Sequence, residues 1–286
     1  MNGPDALAEF VPVGVDDSGR VVLRSLGPLP FAAPFFDLTV TAGPASPRLR
    51  LTLDELSELQ PPVELPALIV HSGRCGSTLL CRLLDTTGCV ATFREPDVVH
   101  AAMSHDPDLG LAVLRQFSWA AVTSGRRPVV KLPSHDVDLC RTLGVPTLAV
   151  VRGHDSVVAS AVADPPAWAL DPGGGVPGDG ALATKVSRVW TRVAETVLEL
   201  DLAAVGYGDL RTDPVGSVAR AIESLSTSDG PTPQLDAIVL TAVTRIDAKR
   251  GGAFRQRVRP LRPAVADDPR LVDELERRLG ERVRLG

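Results

Sequence analysis

The sequence predicts an α/β fold of three layers, with a central parallel sheet flanked by helices. Two observations carry that expectation. From Leu65 onward, apolar runs of strand length alternate with amphipathic stretches of helix length, the pattern of a parallel sheet buried on both faces. The chain is 286 residues long, 44% hydrophobic and 23% charged, enough to bury one full core and typical of a folded globular protein.

Residues 1–64 are read as an N-terminal extension packing on a core domain of residues 65–286. Within the extension, FAAPFFDLTV (31–40) reads as extended chain and LTLDELSEL (51–59) as a short helix, ended by Pro61-Pro62. Five strands follow in the core: ALIVH (67–71), CVATF (89–93), PVVKL (128–132), PTLAVV (146–151) and LAAVGY (202–207). Helices are expected over STLLCRLLDTT, a pair spanning about 96–124, SHDVDLCRTL, HDSVVASAVA, 181–200, 214–225, 232–248 and the terminal DPRLVDELERRLGERV. The Pro/Gly-rich stretch at 164–180 cannot be regular structure, and reads as either a disordered insertion or a lid over a site. No internal repeat is found.

Composition excludes several classes. A formal net charge of -5 argues against nucleic acid or an anionic membrane as partner. Cys75, Cys81, Cys89 and Cys140 form no C-x-x-C pair, and no Cys/His group has zinc-ligand spacing, so reduced thiols and no metal are expected. The acidic N-terminus lacks a signal-peptide pattern and no apolar run reaches spanning length, which fits a cytoplasmic protein without a membrane span.

The first strand runs into Ser72-Gly73-Arg74-Cys75-Gly76-Ser77-Thr78 and then an amphipathic helix. Glycines let backbone wrap an anion, and the first amides of a helix face it with the favourable end of the dipole. Arg74 adds a permanent charge, and Ser77 and Thr78 add hydroxyl donors. A nucleotide-triphosphate loop would carry lysine after the second glycine, whereas Ser77 stands there and His71 replaces the first glycine. No strand ends in an aspartate suited to magnesium. The alternative for this segment is a strand–turn–helix that merely needs small residues.

Gly-Arg-Cys-Gly-Ser-Thr-Leu-Leu resembles the 5′-phosphosulfate loop of sulfotransferases that use 3′-phosphoadenosine 5′-phosphosulfate (PAPS), closest to the carbohydrate-type and bacterial branch. The resemblance implies a three-layer P-loop fold, with Arg74 holding the 5′-phosphate and the moving sulfonate. The backbone of Cys75, Gly76, Ser77 and Thr78 would assist, with PAPS as cosubstrate, adenosine 3′,5′-bisphosphate (PAP) as product and no metal.

A second anion site is expected where PTLAVV ends in Arg152, at the strand edge where open α/β sheets bind ligands. Ser160 lies about two turns further on and shares its side if the helix begins near Gly153. Arg152 with Ser160 resembles the family's 3′-phosphate motif, with Gly153-His154 departing from the usual Asp/Asn-Pro. Read without the resemblance, Arg152 is a helix cap and Ser160 a packed residue.

Val205-Gly206-Tyr207-Gly208-Asp209-Leu210 resembles the family's segment beside the adenine, with Tyr207 in that place and Gly208 replacing a glutamate; Trp190 fits the preceding helix. Transfer to a hydroxyl needs a base. Glu95, in Phe93-Arg94-Glu95-Pro96, resembles the base of carbohydrate-type members; it would otherwise be a helix N-terminal carboxylate. Lys131 and His135, in Val-Lys-Leu-Pro-Ser-His, resemble the lysine and histidine of cytosolic members, although Pro133 stands where that histidine would be. Ser134-His135-Asp136 is no hydrolase triad, since sequence neighbours do not line up side chain to side chain. Arg250, in a basic loop, resembles a residue closing over the 3′-phosphate.

The function expected is therefore sulfonate transfer from PAPS to the hydroxyl of a small molecule or saccharide. The rivals are a P-loop kinase or other phosphotransferase, and a non-catalytic protein that binds PAP or PAPS.

Overall fold

The computed structural model describes residues 7–43, 46–170, 178–226 and 268–286. Five parallel strands form the central sheet: β4 (Ala67–His71), β5 (Val90–Arg94), β6 (Arg127–Lys131), β7 (Thr147–Val151) and β8 (Ala203–Gly206). Their spatial order is β5-β6-β4-β7-β8. Alternate residues of each strand feed two hydrophobic layers. Leu68, Val70, Phe93, Val130, Ala149 and Val151 face one side, and Ala67, Ile69, Val129, Leu148 and Val150 the other.

Helices cover both faces. α3 (Ser77–Thr86) and α10 (Pro214–Ser224) bury their apolar stripes on the second layer. The first layer is covered by α4 (Asp97–His105), α5 (Pro107–Thr123), α7 (His154–Ala163), α8 (Asp179–Glu199) and the terminal helix α11 (Pro269–Gly280). Burial on both faces explains why these strands read as unbroken apolar runs. The short α6 (Leu139–Leu143) and α9 (Tyr207–Thr212) complete the core.

The order of the strands fixes where a ligand fits. The chain leaves β4 through α3 toward β5 on one side, and leaves β7 through α7 and α8 toward β8 on the other, while β4 and β7 are neighbours. The connections therefore diverge above the carboxyl ends of β4 and β7, which opens a crevice at that edge.

The N-terminal residues depart from expectation. β1 (Phe10–Val15), β2 (Val21–Ser25) and β3 (Arg48–Leu51) form a separate antiparallel sheet in the order β1-β2-β3. Residues 31–40, read as extended, instead contain most of α1 (Phe36–Ala42); α2 (Leu53–Leu59) follows and is closed by a capping box at Thr52. The helix forms at Phe36 because its ring seats in a buried aromatic cluster with Phe31, Phe93 and Phe117, and tertiary packing overrides the strand propensity of aromatic residues. Arg94, at the tip of β5, holds this segment down: Nη1 donates to the carbonyl of Ala33 at 2.6 Å, and Nη2 lies 2.7 Å from the buried Asp85 carboxylate.

The helix expected over 134–143 is broken into a single 3-10 turn at Ser134–Asp136 and α6. The helix expected over 232–248 and Arg250 in its basic loop lie outside the described residues, as do residues 171–177 of the Pro/Gly-rich stretch.

Candidate active site

The loop between β4 and α3 turns through left-handed backbone, with φ of 76° at Gly73, 45° at Arg74 and 83° at Gly76. Gly76 is required twice over. Its φ disfavours any side chain, and a Cβ there would sit 3.0 Å from the Tyr207 ring and 3.1 Å from Leu210. Gly76 also forms the N-cap of α3 without any side-chain cap. The first turn of a helix has amides with no intrahelical acceptor, so the start of α3 offers an anion several donors. Arg74 arches over the loop, its guanidinium 2.8 Å from the Asp164 carboxylate, with its Nε buried and lacking a hydrogen-bond partner.

Arg152 follows β7 directly, and the structure brings it against the same loop. Its backbone amide donates to Ser72 Oγ at 3.2 Å and its Nη1 to the carbonyl of Arg74 at 3.1 Å. The guanidinium lies 4.4 Å from the centre of the Tyr207 ring, a cation–π distance, and Trp190 Nε1 donates to its carbonyl at 2.8 Å. The Arg152 Nε, like that of Arg74, is buried without a partner. Buried guanidinium N–H groups left unpaired are costly, and two of them converge here.

α7 begins at His154 with Gly153 as N-cap. Where the resembling motif has proline, His154 keeps an amide, and that amide donates to the Glu276 carboxylate of α11. The buried His154 ring packs edge-on against Trp190 at 5.2 Å, with Nε2 2.9 Å from Ser187 Oγ. The departure thus fastens α7 to α8 and α11. Ser160 is half-buried on α7. Gly208 is small because the chain at Arg284 crosses it, with the Gly208 amide donating to the Arg284 carbonyl at 2.9 Å.

Beside the loop is a buried charged group. Lys131, at the end of β6 and 1% exposed, forms an ion pair with Glu95 and donates to Thr78 Oγ1 at 3.0 Å and Ser77 Oγ at 3.4 Å. Glu95 adopts a left-handed φ of 54° and its amide donates to the Lys131 carbonyl at 2.7 Å. Arg74, Glu95 and Asp201 are the positive-φ non-glycine residues among those described, and two of the three are candidates for the site, where such strain tends to gather. Burial would raise the Glu95 carboxyl, but the Lys131 ammonium and the His71 ring outweigh it and hold the group well below the usual carboxylate range.

His71, the last residue of β4, accepts the Gly73 amide on Nδ1 at 3.1 Å, which leaves the proton of a neutral ring on Nε2. That Nε2 lies 3.3 Å from Glu95 Oε1. Burial and the Lys131 charge pull the His71 pKa down, yet the Cys75 thiol and Glu95 raise it overall. The buried Cys75 thiol is lowered despite its burial because His71 faces it, whereas burial pushes Cys81 up to about 12. A carboxyl that sequence reading missed adjoins this group: burial and the Asp97 carboxyl push Asp37 up to about 6, with Glu95 adding to the shift.

Arg74, Cys75, Gly76, Ser77, Thr78, Arg152, Tyr207, Glu95 and Lys131 thus meet at one rim of the sheet. His135 does not join the Glu95–Lys131 pair. Its ring lies 5.7 Å from that of His100 and 6.0 Å from that of Trp168, centre to centre. The two missed groups had weak signals. His71 stood out only as a histidine in place of a loop glycine, and Asp37 sat in a stretch read as extended.

No protein-family model matches the chain. No curated protein matches it either. Among solved structures it is similar to the sulfotransferase domain of the Synechococcus PCC 7002 olefin synthase, at 15% identity and a TM-score of 0.42, covering 77% of this chain and 97% of that one. Likeness at that level says nothing of activity.

Proposed function

We propose that this protein is a sulfotransferase that moves a sulfonate group from PAPS to the hydroxyl of a small molecule or saccharide. The observation that carries the reading is the meeting of Arg74 and Arg152, each with a buried, unpartnered Nε, joined by the hydrogen bond from Arg152 Nη1 to the Arg74 carbonyl. Two guanidinium groups, one on the loop and one brought against it, suit a nucleotide with anions at both ends of its ribose, since arginine donors match phosphate oxygens. The bound donor supplies an activated sulfonate.

In this reading Arg74, Ser77, Thr78 and the first amides of α3 hold the 5′-phosphosulfate. Arg152 and Ser160 hold the 3′-phosphate, and Tyr207, wedged between Gly76 and Arg152, lies beside the adenine. Glu95 accepts the proton of the acceptor hydroxyl. With Lys131 paired to it, Glu95 is a weak base. The Lys131 ammonium also reaches Ser77 and Thr78 at the mouth of the loop. An anion there draws the ammonium off the carboxylate, which raises the Glu95 proton affinity at the moment a base is needed.

A phosphotransferase is less well supported. β4 to β8 end in His71, Arg94, Lys131, Val151 and Gly206, none of which is a carboxylate for magnesium. The direct test incubates the protein with PAPS and a panel of hydroxyl acceptors and measures release of PAP. Acceptor-dependent release supports the reading. Magnesium-dependent consumption of ATP without any response to PAPS would establish the phosphotransferase instead.

A further inference from the structure

A second cluster of polar side chains lies on the same edge of the sheet, beyond Ser134. The 3-10 turn after β6 carries His135 and Asp136, and α4 brings His100 to face them. His100 Nδ1 lies 2.8 Å from Asp136 Oδ1, and His135 Nε2 lies 3.8 Å from the same oxygen. One ligand atom from each of the three residues lies within 4.8 Å of the others.

The burial of the cluster is uneven in an informative way. Asp136 is 8% exposed, and its second oxygen, Oδ2, is buried with no hydrogen-bond partner. His135 Nδ1 is likewise buried and unpartnered. A buried carboxylate oxygen with no donor is costly unless a cation or donor satisfies it. No arginine or lysine approaches Asp136 within ion-pair distance among the described residues; its neighbours are the two imidazoles. The His100 side chain is 54% exposed, so one side of the cluster is open to solvent.

We propose that His100, His135 and Asp136 form a binding site for a divalent transition-metal ion, with zinc(II) as the occupant. Two imidazoles and one carboxylate are a donor set that zinc accepts, at bonds of about 2.0–2.2 Å. Tetrahedral bonds of that length put ligand atoms about 3.3 Å apart, and the observed 2.8 Å and 3.8 Å bracket that spacing. The third separation, between the two imidazole nitrogens, is within 4.8 Å. Three protein ligands leave a fourth position for water or another oxygen. The adjoining Ser134 Oγ lies 3.8 Å from where a side chain on Gly73 would begin, so the ion would border the phosphate loop. Sequence spacing concealed the site because His100 and Asp136 are 36 residues apart.

The inference stands on this cluster and not on the proposed transfer reaction, so it is tested without donor or acceptor. Chelator-treated protein is titrated with zinc chloride by calorimetry, and with cobalt(II) followed by visible absorption, for the wild type, His100→Ala, His135→Ala and His105→Ala. The expected result is one zinc per chain, and cobalt bands of a low-coordinate nitrogen/oxygen site. Both should persist in His105→Ala. In His100→Ala and His135→Ala the affinity should fall by more than the about 10- to 100-fold that changes outside the ligand set cost. His100→Ala also removes the 2.8 Å contact to Asp136, so its melting in chelator is recorded alongside, and a folded variant that has lost zinc binding is the expected result. Absence of stoichiometric binding by the wild type, or binding unchanged in His100→Ala, overturns the proposal.

Discussion

Arg152 donates from Nη1 to the backbone carbonyl of Arg74 at 3.1 Å. This one contact ties the loop after β4 to the end of β7, two stretches 78 residues apart in sequence. Each group keeps a buried Nε without a partner, which is what the proposed nucleotide, with an anion at each end, would satisfy.

Removing the second of those charges should separate binding from folding. Arg152→Ala is expected to weaken the affinity for PAP about 10- to 100-fold, the loss of one or two hydrogen bonds to a charged group at about 1.5–3 kcal/mol. The melting temperature of the ligand-free protein should change less, because the group lies at the rim, where its partners are the Tyr207 ring and one loop carbonyl. Calorimetric titration alongside thermal melting makes the comparison.

Gly76→Ala tests the loop itself. The new methyl would meet left-handed backbone and the Tyr207 and Leu210 side chains at 3.0–3.1 Å. A destabilisation of about 1–3 kcal/mol is expected from the strain, together with loss of nucleotide binding as the turn opens. Gly88→Ala is the control: its φ of 77° imposes comparable strain, but a Cβ there meets nothing within 4 Å. It should lose stability and keep binding.

Glu95 should matter to turnover and to acid stability at once. Glu95→Gln is expected to lower turnover about 10²- to 10⁴-fold, the range for loss of a general base, while the affinity for PAP stays near the wild-type value. The acid effect has a definite sign. Glu95 binds a proton less readily folded than unfolded, so the unfolded chain takes up more protons once pH falls below the ordinary value of 4.5, and stability declines. His71 is raised, so its contribution is full below 6.5 and is lost as pH rises through its folded value. The pair therefore supports the fold best between those limits. Denaturation midpoints across pH should show a shallower acid limb in Glu95→Gln than in the wild type.

How much of this was legible in the sequence follows from burial. The five central strands are covered on both faces, so each reads as an apolar run, and the strand ends put Arg74, Glu95, Lys131 and Arg152 at one edge. The N-terminal sheet was not legible. β1 carries Pro12 and Gly14 across a shift in register, and β3 is four residues of alternating Arg and Leu. Neither pattern is strong enough to announce a strand. Pairing of side chains was hidden too: the Lys131–Glu95 contact depends on how β5 and β6 lie side by side, and the His71–Cys75 contact on the left-handed turn of the loop between those two residues.

The N-terminal segment hangs on Arg94, which yields a stability prediction. Asp85 is buried beside it, and burial pushes its carboxyl up to about 6 even with Arg94 in place. Arg94→Leu leaves that carboxyl with only the two Thr92 donors and no cation, and frees the carbonyls of Phe31 and Ala33. A loss of about 3–5 kcal/mol is expected, and the double change with Asp85→Leu should recover part of it. Urea denaturation of the two variants gives the answer.

The most direct measurement compares thermal stabilisation by PAP, AMP and ATP at equal concentration, in the wild type and in Arg152→Ala. A ligand that binds only the folded chain raises its apparent stability in proportion to its affinity. PAP should raise the melting temperature of the wild type well above either AMP or ATP, and that advantage should vanish in Arg152→Ala. Equal stabilisation by AMP, or an advantage of PAP that survives in Arg152→Ala, would contradict a rim that clasps both phosphates of one nucleotide.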